Sequence, residues 1–499
     1  MPWHKQKEVV RVANSKRSLG TILFENKVVV LFIFLCVGGT IASGQPLSFV
    51  ANELFTRIAR NSFLVLSLII PVLAGMGLNF GIVIGAMATQ IALFFTTYWG
   101  ITGIRGFLIT ALLATPIAIL FGFLVGVLFN KMKGTEMIGG LVLGYFADGL
   151  YQLLFLFILG GVIPIHSTVL MVPTGVGVKS TSDLTDTIKY ALDTVPLINI
   201  VEIAFYCTVI GLVLTTGWKA VRKQTIHWME TAAVFAGAVV LYGLTFLPLV
   251  ERFLMQNRIL LLHAVELGCL ATVLWQAGRF AAAKLGRLKS FSPKRAAAAC
   301  GAAALLYAVT YIQPIYEILV YVRLSAVTYL CILALCTLNT ALMKTRLGQN
   351  MRTVGQNRTV ANAAGIDVDR TRILAMIFST VLAGWGQLIF LQSVGTFSTY
   401  GAHTQVGQFA IASLLVGGAS VQKANNRQAI LGVILFHTMF IVAPLAGKEL
   451  FGNSMIGEYF RVFVSYGVIA MALAMHAWKT IVKPMSARRN KPAAQEGKL

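Results

Sequence analysis

Long apolar segments alternate with short polar ones along almost the whole chain. Most of them have about the length of a membrane-crossing helix, which needs roughly 20 apolar residues. None alternates with the period of two that a transmembrane β-barrel requires. The pattern therefore predicts an all-α polytopic membrane protein, because a helix satisfies its own backbone hydrogen bonds in lipid. The predicted spans are 28–43, 62–98 (two pieces joined at a glycine-rich turn, 75–81), 104–129, 137–163, 198–216, 229–248, 258–276, 296–313, 324–343, 373–391, 405–418, 428–446 and 459–478, of which 78–98 and 405–418 either span or re-enter.

The basic residues predict the orientation, since they collect in a few polar segments and near both ends of the chain. Cytoplasmic segments of membrane proteins are enriched in lysine and arginine, so this distribution predicts about fourteen crossings with both termini in the cytoplasm. The polar segment 164–197 then lies outside, with a surface helix over 183–192. Arg57 and Arg60, in a predicted loop on the same outer side, depart from the rule.

The composition supports a membrane protein and argues against a soluble domain or a nucleic-acid-binding protein. Only 12% of the residues are charged and 57% are hydrophobic, whereas a soluble domain carries about a quarter charged residues. The formal net charge of +23 would suit a nucleic-acid-binding protein, but the charge follows the turns between spans, so we expect no nucleic-acid partner. The six cysteines are scattered without a C-x-x-C pair or a cysteine–histidine cluster, and they indicate no disulfide framework and no metal site.

The longest strongly basic segment between two spans is 344–372, and we call it the basic loop. Three apolar residues recur at i, i+4 and i+7 and predict a first short helix over about 346–354: Leu347, Met351 and Val354. Gly355 is expected to end that helix. Asn357 is suited to an N-cap and Gly365 to a C-cap, which predicts a second short helix between them.

The basic loop resembles one family of membrane proteins. It reads T-R-L-G at 345–348, M-R-T-V-G-Q-N at 351–357 and A-N-A-A-G-I at 361–366. This resembles the cytoplasmic loop T-R-x-G-x-x-x-R-A-V-G-x-N, then A-A-x-x-x-G-I, of the permease subunits of ABC importers for ribose-type sugars, nucleosides and branched-chain amino acids. Small residues in the next span also fit the family: Ser379, Ala383, Gly384 and Gly386.

The sequence departs from that family in two ways. Family members have about ten spans, and their loop comes soon after a span that opens with a Pro-Leu pair. Here Pro196-Leu197 opens such a span, but about four predicted crossings separate it from the loop. The resemblance thus implies a permease core (28–216 and 324–478) with an inserted block (217–323), a cytoplasmic arm (1–27) and a basic tail (479–499). The string at Leu78 to Gly85 is nearer the nucleoside permeases than the sugar permeases, but it lacks their acidic residue.

The resemblance implies that the basic loop couples the permease to an ATPase. Its apolar stripe and small alanines would pack in a groove of the partner, and its arginines would orient the contact. The alternative is a loop that only faces lipid headgroups, which explains the charge but not the pair of helices. The coupling residues would be Arg346, Leu347, Gly348, Met351, Arg352, Gly355, Gln356, Asn357, Ala361, Ala364 and Gly365.

The source of energy is predicted to lie on another subunit. The chain contains no Walker A string, G-x-x-x-x-G-K-[ST], and so no P-loop of its own. An ion-coupled carrier usually keeps several ionisable residues at mid-membrane, and here Asp148 is the chief one. This scarcity favours an ATPase partner over a secondary carrier. A scaffolding or regulatory protein that works through its inserted block is the other alternative, and no catalytic arrangement indicates an enzyme.

A polar path through the spans is predicted from side chains in apolar segments. A carboxylate in a membrane span is a candidate functional group, although interhelical hydrogen bonding explains the amides equally well. Few charges suit a neutral solute, since no deep arginine is evident outside the inserted block. The isolated His166, His403 and His437 are expected to be loop or packing residues. The path candidates are Asn79, Phe80, Gly81, Gln90, Asp148, Tyr151, Gln152, Gln387 and Gln392.

The sequence therefore predicts the permease subunit of an ABC importer in the cytoplasmic (inner) membrane. Its solute would be a sugar, a nucleoside, another vitamin-like heterocycle or a branched-chain amino acid. By the resemblance its partners are two ATPase subunits, a second permease subunit, an extracytoplasmic substrate-binding protein and the lipid bilayer. The chain needs no cofactor of its own, because ATP and magnesium would bind the ATPase.

Overall fold

The computed structural model of the chain describes residues 26–173, 176–222, 225, 228–284 and 292–489. These residues are mostly helical, with four strands of three residues each. The all-α class is thereby confirmed. Nearly all of the predicted arm and the end of the predicted tail lie outside the described residues.

The helices follow the predicted apolar segments. Before the predicted inserted block they are α1 (Lys27–Ala42), α2 (Leu47–Ser67), α3 (Ile69–Leu73), α4 (Ile82–Tyr98), α5 (Gly103–Lys131), α6 (Glu136–Leu153, continued by a π-helical stretch, Leu154–Val162) and α7 (Leu197–Val221). In the block they are α8 (Trp228–Leu244), α9 (Pro248–Leu254), α10 (Leu261–Lys284), α11 (Pro293–Val309) and α12 (Gln313–Tyr321). After it come α13 (Ala326–Leu342), α14 (Arg346–Gln356), α15 (Arg358–Ala363), α16 (Val368–Val394), α17 (Ala402–Val416), α18 (Asn426–Phe451) and α19 (Ser454–Arg489).

The number of membrane spans is bounded by length and composition. Within the described residues, 7 helices are long and apolar enough to cross a membrane, or up to 9 if each of two bent pairs is one span. Several shorter apolar helices accompany them, among them α1 and α4. The chain is therefore a multi-pass membrane protein, while the fourteen crossings and the side of the termini stay predictions.

Helix α16 lies at the centre of the bundle and packs against α2, α4 and α5. Small residues bring the backbones close together, as is usual between membrane helices. A Cβ on Gly85 would lie 2.4 Å from the carbonyl oxygen of Thr380, and one on Gly122 would lie 2.8 Å from the Cα of Ile377. The four small residues that matched the family pattern, 379–386, belong to this central helix.

The bundle has two distinct ends. At the first, which we call the loop end, the turns after α3 and α5 contact the basic loop through Gly75 and Lys133. The turn after α17 contacts the turn after α3, since a Cβ on Gly77 would touch both Met137 and Val421. At the opposite or far end, two antiparallel ladders join distant segments. Strand β1 (Thr181–Asp183) pairs with β4 (Thr396–Ser398), and β2 (Arg258–Leu260) pairs with β3 (Arg323–Ser325).

The predicted inserted block packs loosely on the rest. Helix α7 pairs with α8, and α10 pairs with α11, and α7 has no buried residue. The block is attached at the far end by the β2–β3 ladder and by Asp193. That carboxylate accepts hydrogen bonds from Ser325 Oγ at 2.5 Å and Arg258 Nη2 at 3.4 Å. These helices therefore form a peripheral layer, not part of the central packing.

Two predicted elements are wrong. Helix α2 begins at Leu47 and includes Arg57 and Arg60, which were expected in a loop. The helix was missed because its charged residues lower the hydropathy of the segment. Its apolar residues Val50, Leu54 and Ile58 nevertheless recur every four residues and pack against the bundle.

The segment 183–192 is not a surface helix but a short strand followed by turns. Asp183 Oδ1 accepts hydrogen bonds from Thr185 Oγ1 at 2.6 Å and from its N–H at 2.9 Å. These bonds stabilise a turn instead of a helix. Both hydrogen bonds also lower the pKa of the Asp183 carboxyl, the bond from the Thr185 hydroxyl more than the bond from the Thr185 N–H.

Candidate functional site

The basic loop contains the two predicted short helices, α14 and α15. The second starts where the sequence predicted, since Asn357 Oδ1 accepts hydrogen bonds from the N–H groups of Thr359 at 2.9 Å and Val360 at 3.1 Å. It ends before Gly365, whose φ of +75° is the left-handed conformation of a helix C-terminus. The N-cap and the C-cap are therefore both confirmed.

Gly355 does not end α14, as had been predicted, because the helix continues to Gln356. Its role is to permit backbone contact with the turn after α3. A Cβ on Gly355 would lie 2.1 Å from the carbonyl oxygen of Leu73, and a Cβ on Gly75 would lie 2.6 Å from the Cα of Gly355. Helix α14 thus crosses the turn between α3 and α4 with no side chain between the two backbones.

The apolar stripe of the basic loop faces the chain's own bundle. Met351 is 0% exposed and Val354 1%, and Val354 forms a small cluster with Ala361 and Val368. The structure corrects the predicted direction of this stripe, which attaches the loop to the bundle and does not point outward. The outer face of the loop consists of exposed residues: Arg346, Arg352, Gln356, Asn357, Val360, Asn362, Ala363 and Ala364.

A buried ion cluster, centred on Glu136 at the start of α6, holds the basic loop in place. Glu136 Oε1 accepts a hydrogen bond from Arg372 Nη2 at 2.5 Å and another from Arg358 Nη2 at 2.6 Å. Glu136 Oε2 accepts a third from the N–H of Gly134 at 2.8 Å. One carboxylate therefore joins the turn before α6 to both α15 and α16.

Both arginines of the cluster also bind backbone carbonyls. Arg358 donates to the carbonyl oxygen of Gly75 at 3.2 Å, and Arg372 donates to that of Phe129 at 3.3 Å. Arg372 is fully buried and the Glu136 side chain is 7% exposed. Since a buried charge that loses its partner is strongly destabilising, these residues depend on one another. No local pattern predicted the cluster, because Glu136 and Arg372 are 236 positions apart.

A second polar group lies within the bundle around Asp148. Its Oδ1 is 2.7 Å from His403 Nε2, and its Oδ2 accepts a hydrogen bond from Gln152 Nε2 at 2.9 Å. The ring of Tyr151 lies 4.7 Å from that of His403, measured between centroids. The predicted set of Asp148, Tyr151 and Gln152 is therefore brought together. His403, expected to be a packing residue, belongs to it as well.

The Asp148 group has unused hydrogen-bonding capacity. Tyr151 OH and His403 Nδ1 are buried without a hydrogen-bond partner among the described residues. Asp148 lies about 18 Å along α6 from the loop end, at 1.5 Å per residue, and its side chain is 18% exposed. A neighbouring groove of about 420 Å³ reaches Tyr151 but has almost entirely apolar walls. The polar atoms that could meet a solute are therefore those of the Asp148 group itself.

The predicted amides are buried at separate levels of the bundle. Asn79 Nδ2 donates to Ser379 Oγ at 3.3 Å. Gln90 and Gln387 are each 0% exposed, and no described residue hydrogen-bonds their side-chain amides. Gln392 lies near the far end of α16. Buried amides without partners are destabilising, so Gln90 and Gln387 are the amides with the most unused hydrogen-bonding capacity.

Phe80 and Gly81 form the turn into α4 and pack against Gly140. A Cβ on Gly140 would lie 3.4 Å from the nitrogen of Gly81 and 3.5 Å from the Cβ of Phe80. Phe80 is 7% exposed. The structure therefore places these two path candidates in helix packing at the loop end.

Comparison with known families identifies a permease family, in agreement with the resemblance of the basic loop. The model of the family described as the permease component of branched-chain amino acid transport systems matches residues 209–473, more than half of the chain's 499 residues. No solved structure matches the chain.

Three curated relatives share shorter regions with the chain. The nucleoside ABC transporter permease protein NupC of Lactococcus lactis is 31% identical over 141 residues, which are 28% of this chain and 42% of the relative. The galactose/methyl galactoside import permease protein MglC of Salmonella typhimurium is 26% identical over 159 residues (32% and 45%). The nucleoside permease protein NupB of L. lactis is 33% identical over 92 residues (18% and 25%). The matched regions thus span less than half the length of each relative.

Proposed function

The chain belongs to the permease family of ABC importers, and on that premise we propose that it is the membrane-spanning permease subunit of an ATP-driven importer of a small polar solute. The observation that carries this proposal is the rigid attachment of the basic loop. Two buried contacts, at Gly355 and at Glu136, hold α14 and α15 against the turns at the loop end. An outer face of exposed residues is left free for a partner.

In the proposed topology the chain crosses the cytoplasmic (inner) membrane about fourteen times, with the loop end and both termini in the cytoplasm. The proposal is supported by a helix at each predicted position and by the contact of one basic turn, through Lys133, with Asp369 of the basic loop. The permease core is formed by 28–216 and 324–478, and the block 217–323 is a peripheral addition. The pairing of α8 with α7 and of α10 with α11 supports a peripheral block, and α7, which lies mainly within 28–216, is attached to it.

The proposed mechanism uses the basic loop as a lever. Closure of two ATPase subunits on bound ATP and magnesium pushes on the outer face of α14 and α15. The push reaches the turn between α3 and α4 through the Gly355–Gly75 contact, and reaches α6 and α16 through Glu136. Because packed helices move as rigid bodies, the bundle would rock between outward-facing and inward-facing arrangements.

We propose that the solute is sugar-like or nucleoside-like, with a branched-chain amino acid as the other choice within the family. The curated relatives support this, since they are named as nucleoside and galactose permeases. The solute would contact Asp148, Gln90 and Gln387 on its path. The complete importer would contain two such permeases or two homologous ones, two ATPases and an extracytoplasmic binding protein.

The docking face is tested by Val360→Asp. Val360 is 56% exposed on α15, so the change leaves the fold intact but puts a charge into the proposed interface. We expect co-purification with the ATPase encoded beside this gene to fall at least about tenfold, because a buried unpaired charge costs several kcal/mol at an interface.

Gln422→Asp is the matched control, because it adds a negative charge on an exposed turn at the same end. It should leave co-purification unchanged. Equal ATPase recovery from Val360→Asp and wild type would refute the docking face. Uptake that survives without any ATPase and stops when the ion gradient is dissipated would instead support a secondary carrier.

The solute path is tested by Asp148→Asn. The amide keeps the size of the side chain but removes the charge that faces His403. We expect uptake to fall about tenfold or more while ATPase association stays normal, because a charged hydrogen bond contributes about 1.5–3 kcal/mol. Asp186→Asn, at an exposed far-end position, should have no effect. Normal uptake by Asp148→Asn would remove this group from the path.

A further inference from the structure

Helix α2 carries two arginines that form no ion pair within the described part of the chain. Arg57 and Arg60 lie one turn apart on this helix, which packs against α16 and α18. Both side chains are partly buried, and the Nε of each is buried without a hydrogen-bond partner. In the part of the chain that the structure describes, no ion pair includes either of them.

The two arginines are located at the far end of the bundle. The guanidinium of Arg60 lies 5.9 Å from the ring centroid of Phe390, one turn before the end of α16. Arg57 interacts electrostatically with Arg461 and Glu458 of α19, and Arg60 with Tyr190 in the segment that covers this end. Both guanidiniums therefore lie near the far ends of α16 and α19.

The acidic residues nearby do not neutralise this charge. Glu458 already forms an ion pair with Arg461. Glu53, one turn before Arg57, interacts with both arginines electrostatically but forms no ion pair within 4 Å. His437, which also faces them, is buried and carries no negative charge. Two cations thus share the carboxylate of Glu53, which forms an ion pair with neither, and this leaves a local excess of positive charge.

Such an arrangement is unfavourable unless a ligand completes it. Charged residues within membrane-spanning helices are expensive and normally find partners there. Like charges one turn apart also repel each other. The cation–π contact of Arg60 with the Phe390 ring compensates only a small part of the cost of burying these charges. Among the described residues, Arg57 and Arg60 thus have no anionic group paired directly with them.

We propose that Arg57 and Arg60 bind an anionic oxygen group, a carboxylate or a phosphate, at the far end of the bundle. Guanidinium groups suit such ligands because their planar forks donate two parallel hydrogen bonds. Resting on the proposed function, the inference assigns this group to the solute, so the imported sugar-like or nucleoside-like compound carries an acid. It replaces the expectation of a neutral solute, which depended on the absence of deep arginines outside the inserted block.

The test measures anion binding by the purified full chain in phosphatidylcholine nanodiscs. Sodium phosphate and sodium acetate are titrated at constant ionic strength, and the melting temperature is followed, because a ligand of the folded state raises it. We expect a saturable rise for the wild type. Arg57→Gln with Arg60→Gln should weaken the apparent affinity at least about tenfold, since each arginine contributes charged hydrogen bonds.

Two further variants keep the test decisive. Arg105→Gln removes one positive charge from an exposed far-end position and should respond like the wild type. If the double glutamine variant does not fold, Arg57→Lys with Arg60→Lys keeps the charge and removes the fork, and should still weaken binding.

The outcomes separate the sources of the anion. A response to the soluble salts in phosphatidylcholine supports a solute. A response that requires phosphatidylglycerol, and is lost in the double variant, identifies a lipid headgroup and overturns the assignment to the solute. An unchanged affinity in the double variant, or no response to any anion, overturns the site. No ATPase is present in this measurement, so its result is independent of the co-purification that tests the proposed function.

Discussion

Glu136→Gln is expected to lower the free energy of unfolding by about 3–5 kcal/mol, the range found when one partner of a buried ion pair is removed. The glutamine leaves Arg372, which is 0% exposed, without a counter-charge, and it also weakens the bond to Arg358. Thermal unfolding in detergent, followed by intrinsic fluorescence, measures the loss. Uptake should fall sharply, because the hydrogen bond that joins α15 to α6 would be weakened.

The control for this prediction is Glu449→Gln, at an exposed position near the end of α18, which should melt like the wild type. A double variant, Glu136→Gln with Arg372→Met, removes both buried charges and should recover part of the lost stability, since the two effects are coupled. If Glu136→Gln melts at the wild-type temperature, the cluster does not hold the loop.

Most of the helices could be predicted because apolar length alone identifies a membrane segment. Helix α2 shows where that signal fails. Its first part carries Glu53, Arg57 and Arg60, which lower the hydropathy of a segment that is nevertheless helical and packed. Its apolar stripe has the helical period but occupies only one face, and a window average does not detect a single face.

The candidate site was predictable where it depends on neighbours in sequence. Asp148, Tyr151 and Gln152 share a helical face, and the N-cap at Asn357 is a local signal. His403 and Glu136 were missed because their partners lie 255 and 236 positions away. The direction of the stripe at Met351 was also beyond the sequence, since a buried face has the same pattern whether it meets its own chain or a partner.

Gly355 was predicted from a local signal but acts through a long-range contact. In the sequence a glycine suggests the end of a helix, whereas in the structure Gly355 allows two backbones to touch. The family string fixes its position in the loop but says nothing of the backbone it meets. That backbone belongs to the turn after α3, which is 280 residues earlier in the chain. A substitution at Gly355 therefore tests the contact directly.

Gly355→Ala is expected to displace α14 from the turn between α3 and α4. The new Cβ would lie 2.1 Å from the carbonyl oxygen of Leu73, and neither group is a flexible side chain that could move away. Overpacking of this kind costs about 1–3 kcal/mol or more. We expect uptake to fall at least tenfold and hydrogen exchange in α14 and α15 to rise, while the ATPase still co-purifies through the unchanged outer face.

Gly237→Ala provides the comparison, because Gly237 lies in α8 with nothing within 4 Å of the position of a Cβ. Alanine there favours the helix by about 1 kcal/mol and should leave uptake unchanged. The contrast between the two variants separates steric contact from helix propensity, since both replace a helical glycine by alanine. Equal uptake by the two would show that the Gly355–Leu73 contact does not transmit the push of the ATPase.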